Sequence, residues 1–565
     1  MFTHFPPADT YNGELTGEEL ARFERNFMEK GRATLGMDLF GHGDGGGGPT
    51  REMMAAGRRA RDLEGSPKVE FGTAADFFDR ARAEYPYAPV WNGELYLELH
   101  RGTYSAQLGT KQGNRRSEHV LHEAERAHAE IAERAEQVIA AALAALEAGE
   151  GAQAAGGDSP ADGDAGADGN APADGHGTAP LLLNTAPVPR RGVPAYAAGQ
   201  AENGQDAVVV IREGERTVLE NAALRAELDA DGSLVSLVDL ATGSETIAPG
   251  ARGALLQLHR DTPNAWDAWD IDEFYRRTVR DLATRLEVTA GEEDGGARVA
   301  FTCSTAAGEG EDSRGVTGAG STIVKTFVLR PGDESLGIEL DLDWKERKKA
   351  LKLAFPLDLR AAHLSSEIQF GHVDRPIPVN TSWDFARFET CAHRWVHAAE
   401  GGFGVALAND STYGHDVLRT VREFDGGTTT TIRQTLVRAP EFPDPSADEG
   451  RYHLRVALRP GAGIPDAIQE GYRLNLPERE VTAATAAEAG APLVTVQDAA
   501  GAGAGAAPGA GSGQVLVETV KLAENRSGDL VLRLYESLGA RAEATLVLDP
   551  APDGGAAPGA PAPVG

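Results

Sequence analysis

From Leu181 onward the sequence repeats one pattern, short runs in which apolar and polar residues alternate. AVVVIR, LRAELDADGSLVSLVD, ALLQLHR, TIVKTFVLR, LGIELDLDW, YHLRVALR, VLVETVKLAE and LVLRLYES follow one another in this way. A period of two puts successive side chains on opposite faces of a strand, so each run predicts a strand with one dry face. Asp231-Gly232, between two such runs, is a hairpin signal. Many short strands separated by turn residues imply stacked antiparallel sheets, with no helix of useful length in this block. The β-sandwich block spans 181–480, and a terminal β domain follows at 481–548.

The preceding part of the chain reads differently. Thr3-His4-Phe5-Pro6-Pro7 has the look of a strand end entering a turn, so residues 1–78 are expected to begin inside a domain. A helix is predicted from Thr16, an N-cap with Glu18 and Glu19 in its first turn, to Lys30. The apolar run Met37–Phe40 leads into the loop GHGDGGGGPT and a second helix that Pro49 and Thr50 start. Residues 79–148 are helical: over Glu118–Glu147, Val120, Leu121, Ala124, Ala127, Ile131 and Val138 recur near a period of 3.6. His119, His122 and His128 on that helix are not at i, i+4 spacing and are expected on its surface. The stretches 149–180, 498–514 and 549–565 hold little that can be buried and are expected to be acidic or Ala/Gly-rich linkers and tail.

A chain of 565 residues has room for about three or four domains. Its formal net charge of −32 argues against nucleic acid, which needs clustered Lys and Arg. The two cysteines, Cys303 and Cys391, cannot build a disulfide framework or a cysteine-based zinc site and are expected to be reduced and buried. No apolar run reaches the ~18 residues of a membrane span. MFTHFPPADTY shows no secretory signal pattern, so a cytoplasmic location and no membrane partner are expected.

The chemistry-bearing residues concentrate in a few stretches. Trp91–Arg116, WNGELYLELHRGTYSAQLGTKQGNRR, sets Trp91, Tyr96 and Tyr104 among Glu94, Glu98, His100, Arg101, Lys111, Arg115 and Arg116. Aromatic faces beside carboxylates and arginines suit a sugar ring; the same residues equally suit a helix start with solvated charges and core aromatics. The four glycines after Asp44 let backbone approach a ligand closely, or simply connect two elements. His42-Gly43-Asp44 is an H-x-D triplet, but catalytic zinc takes about three protein ligands and no third is evident nearby. DTPNAWDAWDIDEFY (261–275) and EIQFGHVDRPIPVNTSWDFARFETCAHRWV (367–396) are dense in Trp, Asp, His and Arg. Carbohydrate contact is one reading of them. Interdomain packing, with each carboxylate paired, is the other.

These stretches resemble the GELYLELHRGTY…K..NRR signature, the GDGGGGP loop and the β-domain motifs of class II α-mannosidases, glycoside hydrolase family 38. The resemblance implies a multidomain α+β chain. Residues 1–78 would be a remnant of the α/β (β/α) catalytic domain and 79–148 a shortened helical bundle. A large antiparallel β-sandwich region, of the mannosidase C-terminal and galactose-mutarotase-like type, would follow. It implies retaining, zinc-dependent removal of terminal α-mannose, in which an aspartate nucleophile and a second carboxyl group share the work. Position by position, it makes Asp44 the general acid/base and His42 a residue lining the site. Glu98, His100 and Tyr104 would face the sugar, while Arg115 and Arg116 hold the bundle. Zinc is expected for the family, held by two histidines and two aspartates that include the nucleophile. Those ligands are not found in this chain: the family's first H-x-D pair and nucleophile precede the segment that residues 2–15 resemble. Its His-Asp bundle loop has no counterpart in LHEAERAHAEIAERAEQVIAAAL. The chain alone is therefore expected to be impaired or inactive. The alternative is a non-catalytic carbohydrate-binding β-sandwich protein or a subunit of a split enzyme. The expected partners are α-mannosides or oligosaccharides, with a homo-oligomer or a separate catalytic half as further possibilities.

Overall fold

A computed structural model describes residues 2–43, 47–91, 94, 98–126, 181–202, 207–291, 295–306, 316, 318–476, 478–481, 494–498 and 515–548. The expected linker at 149–180, the expected linker at 498–514 apart from Asp498 (which ends the strand Val494–Asp498), the tail at 549–565 and the helix beyond residue 126 lie outside them. Contacts divide the chain into two compact units, Met1–Leu95 and Tyr96–Gly565.

In the first unit the helix Gly17–Asn26 starts where the sequence predicts. Thr16 accepts from the Glu19 backbone N–H at 3.2 Å, and the Glu19 carboxylate reaches back to the backbone N–H groups of Glu14 and Leu15. It stops four residues short of Lys30, because Phe27 turns into extended backbone. Thr50 caps Arg51–Arg59, and Thr73 caps a third helix, Ala74–Glu84. The Thr3–Pro7 stretch forms no strand; a parallel bridge, Gly13 to Phe40, is the β pairing among the described residues of this unit.

The second unit is β-rich and antiparallel throughout its described pairings. A nine-stranded sheet runs in the order Arg285–Gly291, Ala297–Ser304, Thr322–Leu329, Leu336–Trp344, Gly450–Pro460, Phe403–Asn409, Trp395–Glu400, His363–Ile368, Gly371–Pro376. A six-stranded sheet, Thr390–Cys391, Gly414–Val421, Thr428–Arg438, Lys349–Leu357, Leu255–Arg260, Val279–Asp281, shares its core. That core joins Phe301, Phe327 and Ile338 of the first sheet to Leu256, Leu353 and Phe355 of the second. The expected period of two is visible in Leu336–Trp344, whose inward side chains are buried in strict alternation. Asp231-Gly232 does close the hairpin Leu224–Leu228 to Leu234–Asp239. Gly232 has φ +71°, and a Cβ there would lie 2.6 Å from Phe301, so only glycine fits.

One expectation for this block fails. Ile464–Asn475 is a twelve-residue helix, begun by Pro465 and by Asp466 accepting from the Gly463 N–H at 2.8 Å. Ile468 and Tyr472, one turn apart, bury against Trp395, Ala406 and Ala408 of the nine-stranded sheet. The run of strands around it hid a short helix whose apolar spacing is nevertheless helical. The terminal β region forms two pairs, Val515–Leu522 with Leu530–Glu536 and Val494–Asp498 with Ala544–Leu548. Neither cysteine is in a disulfide bond; Cys303 is buried and Cys391 half-buried. Among the described residues no helix is long and apolar enough to cross a membrane.

Candidate functional site

The signature stretch enters the second unit as a short 3-10 turn, Glu98–Tyr104, and continues as a helix over residues 108–126. Both are fixed by the β region rather than by one another. The backbone N–H groups of Gly102 and Thr103 donate to the Trp269 carbonyl at 2.8 and 3.2 Å. A Cβ on Gly102 would meet Arg438 Nη1 at 2.1 Å and the Asp270 carbonyl at 2.5 Å, which is why His-Arg-Gly-Thr-Tyr needs its glycine. Arg101 donates to the Ala386 carbonyl at 3.0 Å, faces Asp270 at 3.6 Å and stacks over Phe388 at 4.4 Å. The helix N-terminus is capped from another element: Asp448 accepts from Leu108 N–H at 2.6 Å and from Gln107 N–H at 3.2 Å. Burial nevertheless pushes the Asp448 carboxyl up to about 6. Leu108 itself is fully buried in the main core.

The WDAWD loop that receives this turn spends its carboxylates on structure. Asp261 accepts from Arg438 Nε at 2.6 Å, and Asp267 accepts from the Glu441 and Phe442 backbone N–H groups. Arg438 also donates to the Asp267 and Asp270 carbonyls, tying the loop to its strand. Burial raises the carboxyls of Asp261 and Asp270 despite these arginines. The loop's aromatics are arranged otherwise. Trp266, Trp269 and Phe442 form a cluster with ring centroids 5.8–6.2 Å apart, and Trp266 is 58% exposed. Trp266 also sits at φ +56°, a conformation that bulky residues avoid unless surrounding structure enforces it.

Beneath the signature lies a closed charge cluster. Lys352 Nζ contacts Glu389 at 2.7 Å and Asp416 at 2.6 Å, and the Tyr275 hydroxyl lies 3.0 Å from both carboxylates, its one proton shared between them. Burial alone would raise the Asp416 carboxyl, but Arg433, Lys352 and Arg276 outweigh it and hold it far below the usual range. Tyr275 and Glu389 come from the two dense motif stretches, 261–275 and 367–396, and Asp416 from the strand Gly414–Val421. The missed signal was Lys352, a lysine at an inward position of the apolar strand Lys349–Leu357.

Comparison with known proteins now bears on this arrangement. Residues 1–94 match the glycosyl hydrolases family 38 N-terminal domain and residues 219–446 match the family 38 C-terminal domain. The chain belongs to glycosyl hydrolase family 38. It is 32% identical over 609 residues to Alpha-mannosidase 2C1 of Homo sapiens, an alignment covering 97% of this chain and 55% of that protein. Identity to Alpha-mannosidase G of Dictyostelium discoideum is 26% over 645 residues, covering 95% of this chain and 56% of that one. A solved α-mannosidase structure from Enterococcus faecalis is similar at 17% identity and TM-score 0.44, covering 62% of this chain and 39% of its own. The chain spans about half the length of the curated relatives it matches.

Each position that the resemblance assigned to the site is described within its own unit. In the first, His42 is exposed on its loop, and Asp44 lies outside the described residues. In the second, Glu98 opens the 3-10 turn and His100 is exposed, its carbonyl accepting from the Thr103 hydroxyl at 2.5 Å. Tyr104 is half-buried, and its carbonyl accepts from the Tyr413 N–H at 3.3 Å. Glu98, His100 and Tyr104 thus share one pinned turn. Arg115 is buried and donates to the Asn409 carbonyl, the Asn409 side chain and the His393 carbonyl at 2.8–3.1 Å, while Arg116 is exposed. Arg115 therefore holds the signature helix to the β region rather than to a bundle. Among the described residues no group of three or more His, Cys, Asp and Glu could hold a metal ion.

Proposed function

We propose that the chain takes part in hydrolysis of terminal α-mannosides as a portion of a retaining family 38 α-mannosidase. The observation that carries this is the turn Glu98–Tyr104, pinned through two backbone hydrogen bonds on the Trp269 carbonyl with His100 left exposed. A rigidly held turn with a free polar face is what orienting a sugar hydroxyl requires. Its relatives bear the name α-mannosidase. In this reading Asp44 acts as general acid/base, His42 lines the site, and Glu98, His100 and Tyr104 contact the sugar. Retention needs a second carboxylate about 5–5.5 Å from the first, and no residue of this chain matches the family's nucleophile. In this reading the chain alone turns over α-mannosides little or not at all, in a cytoplasmic setting.

The test is hydrolysis of an aryl α-mannoside by the purified chain, with its zinc content measured on the same sample. No turnover and no zinc is the expected result. One zinc per chain with chelator-sensitive turnover would overturn it. A non-catalytic glycan-binding role is a second reading, favoured by the exposed Trp266 beside Trp269 and Phe442.

A further inference from the structure

The second unit contains a cavity of about 660 Å³ that none of His42, Asp44, Glu98, His100 or Tyr104 lines. It opens between the outer turns of the signature helix, the hairpin around Phe370, and the pair Val515–Leu522 with Leu530–Glu536. The volume falls within the ordinary range for small-molecule sites, roughly 300–1,000 Å³.

The chemistry of its walls narrows the occupant. Arg394 donates to Glu367 through Nε at 2.9 Å and Nη2 at 2.6 Å, and lies over the Tyr472 ring at 3.9 Å. The Tyr472 hydroxyl donates to Glu518, whose other oxygen is 4.0 Å from Arg394. The strongest cation is thus already matched, and the four glutamates and three arginines lining the cavity nearly cancel. With one more glutamate than arginine on its walls, the cavity offers a phosphate or carboxylate ligand a slightly negative lining. A hydrocarbon would leave those polar groups desolvated without partners.

Three histidines face the same space. Burial lowers the affinity of His119, His122 and His393 for a proton, and it brings His119 to about 3 with help from Arg394 and Arg115. Each imidazole is neutral near pH 7, with one nitrogen donating and one accepting, as a sugar hydroxyl does. His122 Nε2 is buried without a hydrogen-bond partner among the described residues. Gln369 reaches His393 at 3.3 Å, and Phe370 packs edge-on to Tyr535 at the rim while remaining 58% exposed.

We propose that this cavity is a non-catalytic binding site for a small neutral saccharide, a mono- or disaccharide. Its hydroxyls bond the neutral imidazoles, Gln369 and the outer lone pairs of the glutamates. One apolar ring face lies against Phe370 and Tyr535.

Isothermal titration calorimetry of the full chain tests this with methyl α-mannoside, maltose, glucuronate and glucose 6-phosphate. Saturable binding of a neutral sugar is expected, with the charged sugars binding at least tenfold more weakly. His122→Ala and Phe370→Ala should each weaken it at least fivefold. Phe370 is exposed, so its truncation keeps the fold even where His122→Ala does not. No binding of any neutral sugar at tens of millimolar would overturn the proposal. So would a preference for a charged sugar, or affinity that Phe370→Ala does not alter. Binding lost with His100→Ala but kept with Phe370→Ala would move sugar recognition to the signature turn, which supports the mannoside reading and refutes this one.

Discussion

Two clusters in the β-rich unit use the same residue types and serve different ends. Around Lys352, a lysine, two carboxylates and a tyrosine are sealed, the lysine and both acids having at most 1% of their side chains accessible, while Arg433 and Arg276 reach Asp416 from the rim. Around Arg394, an arginine, two glutamates and a tyrosine line an open cavity, and the arginine side chain keeps 17% accessibility. Pairing is equally good in both. What separates a structural knot from a binding wall is whether water can reach it, since water can replace a lost partner only in the second.

The largest effect should therefore come from Lys352→Met. Removing the cation takes a positive partner from both Glu389 and Asp416 where no water arrives, a loss of about 3–5 kcal/mol for a broken buried pair. Arg394→Met exposes Glu367 and Glu518 to cavity water and should cost only about 1–2 kcal/mol. Urea unfolding followed by tryptophan fluorescence measures both. Equal losses would erase the distinction between the clusters.

The sealed cluster also predicts an acid limb. His259 packs on Tyr275 and is pushed down to about 3, first by burial and then by Lys352 and Arg433, with Asp416 opposing them. An unfolded histidine titrates near 6.5. The folded state then binds fewer protons between these values, so stability is full above pH 6.5 and falls as pH drops toward 3. His259→Gln should flatten that slope, removing on the order of a few kcal/mol of pH dependence. A stability curve unchanged between pH 7 and 4 in the parent chain would contradict it.

Gly102→Ala probes the turn rather than either cluster. Its methyl would intrude on Arg438 and the Asp270 carbonyl, costing about 1–3 kcal/mol by overpacking. The cost should appear together with a displaced His100, read as a shift of the His100 imidazole resonances. A neutral Gly102→Ala would mean that the turn is looser than its two hydrogen bonds imply.

How much of this was legible beforehand depends on the range of the interactions. Alternation in Leu336–Trp344, the Asp231-Gly232 hairpin and the Thr16 and Thr50 caps are local, and the sequence exposes them directly. The motif around His100 is visible as a string, but its clamp is not, because Trp269 and Ala386 lie far along the chain. Packing was the better reading for Asp261, Asp267, Asp270 and Arg115, each of which is bonded within the fold. His119 and His122 looked like helix-surface residues because helical spacing names a face and not what covers it. The hairpin around Phe370 and Val515–Leu522 turn that face into a cavity wall.

The smallest expected change in stability belongs to Trp266, where structure and role can be separated most sharply. Its φ of +56° is costly for a bulky side chain, by about 1–3 kcal/mol. Asparagine tolerates that conformation and would relieve part of the cost. Losing the ring contacts to Trp269 and Phe442 works the other way, by about 0.5–1.5 kcal/mol for each aromatic pair. The two terms are of similar size, so Trp266→Asn should shift stability by less than about 1 kcal/mol. A residue kept in a strained conformation without a net gain in stability has to be accounted for by what its exposed face touches. Loss of glycan binding by the chain, at unchanged unfolding midpoint, would place that face in a glycan contact. A large drop in midpoint would instead make Trp266 a structural wedge for the loop that clamps the signature turn.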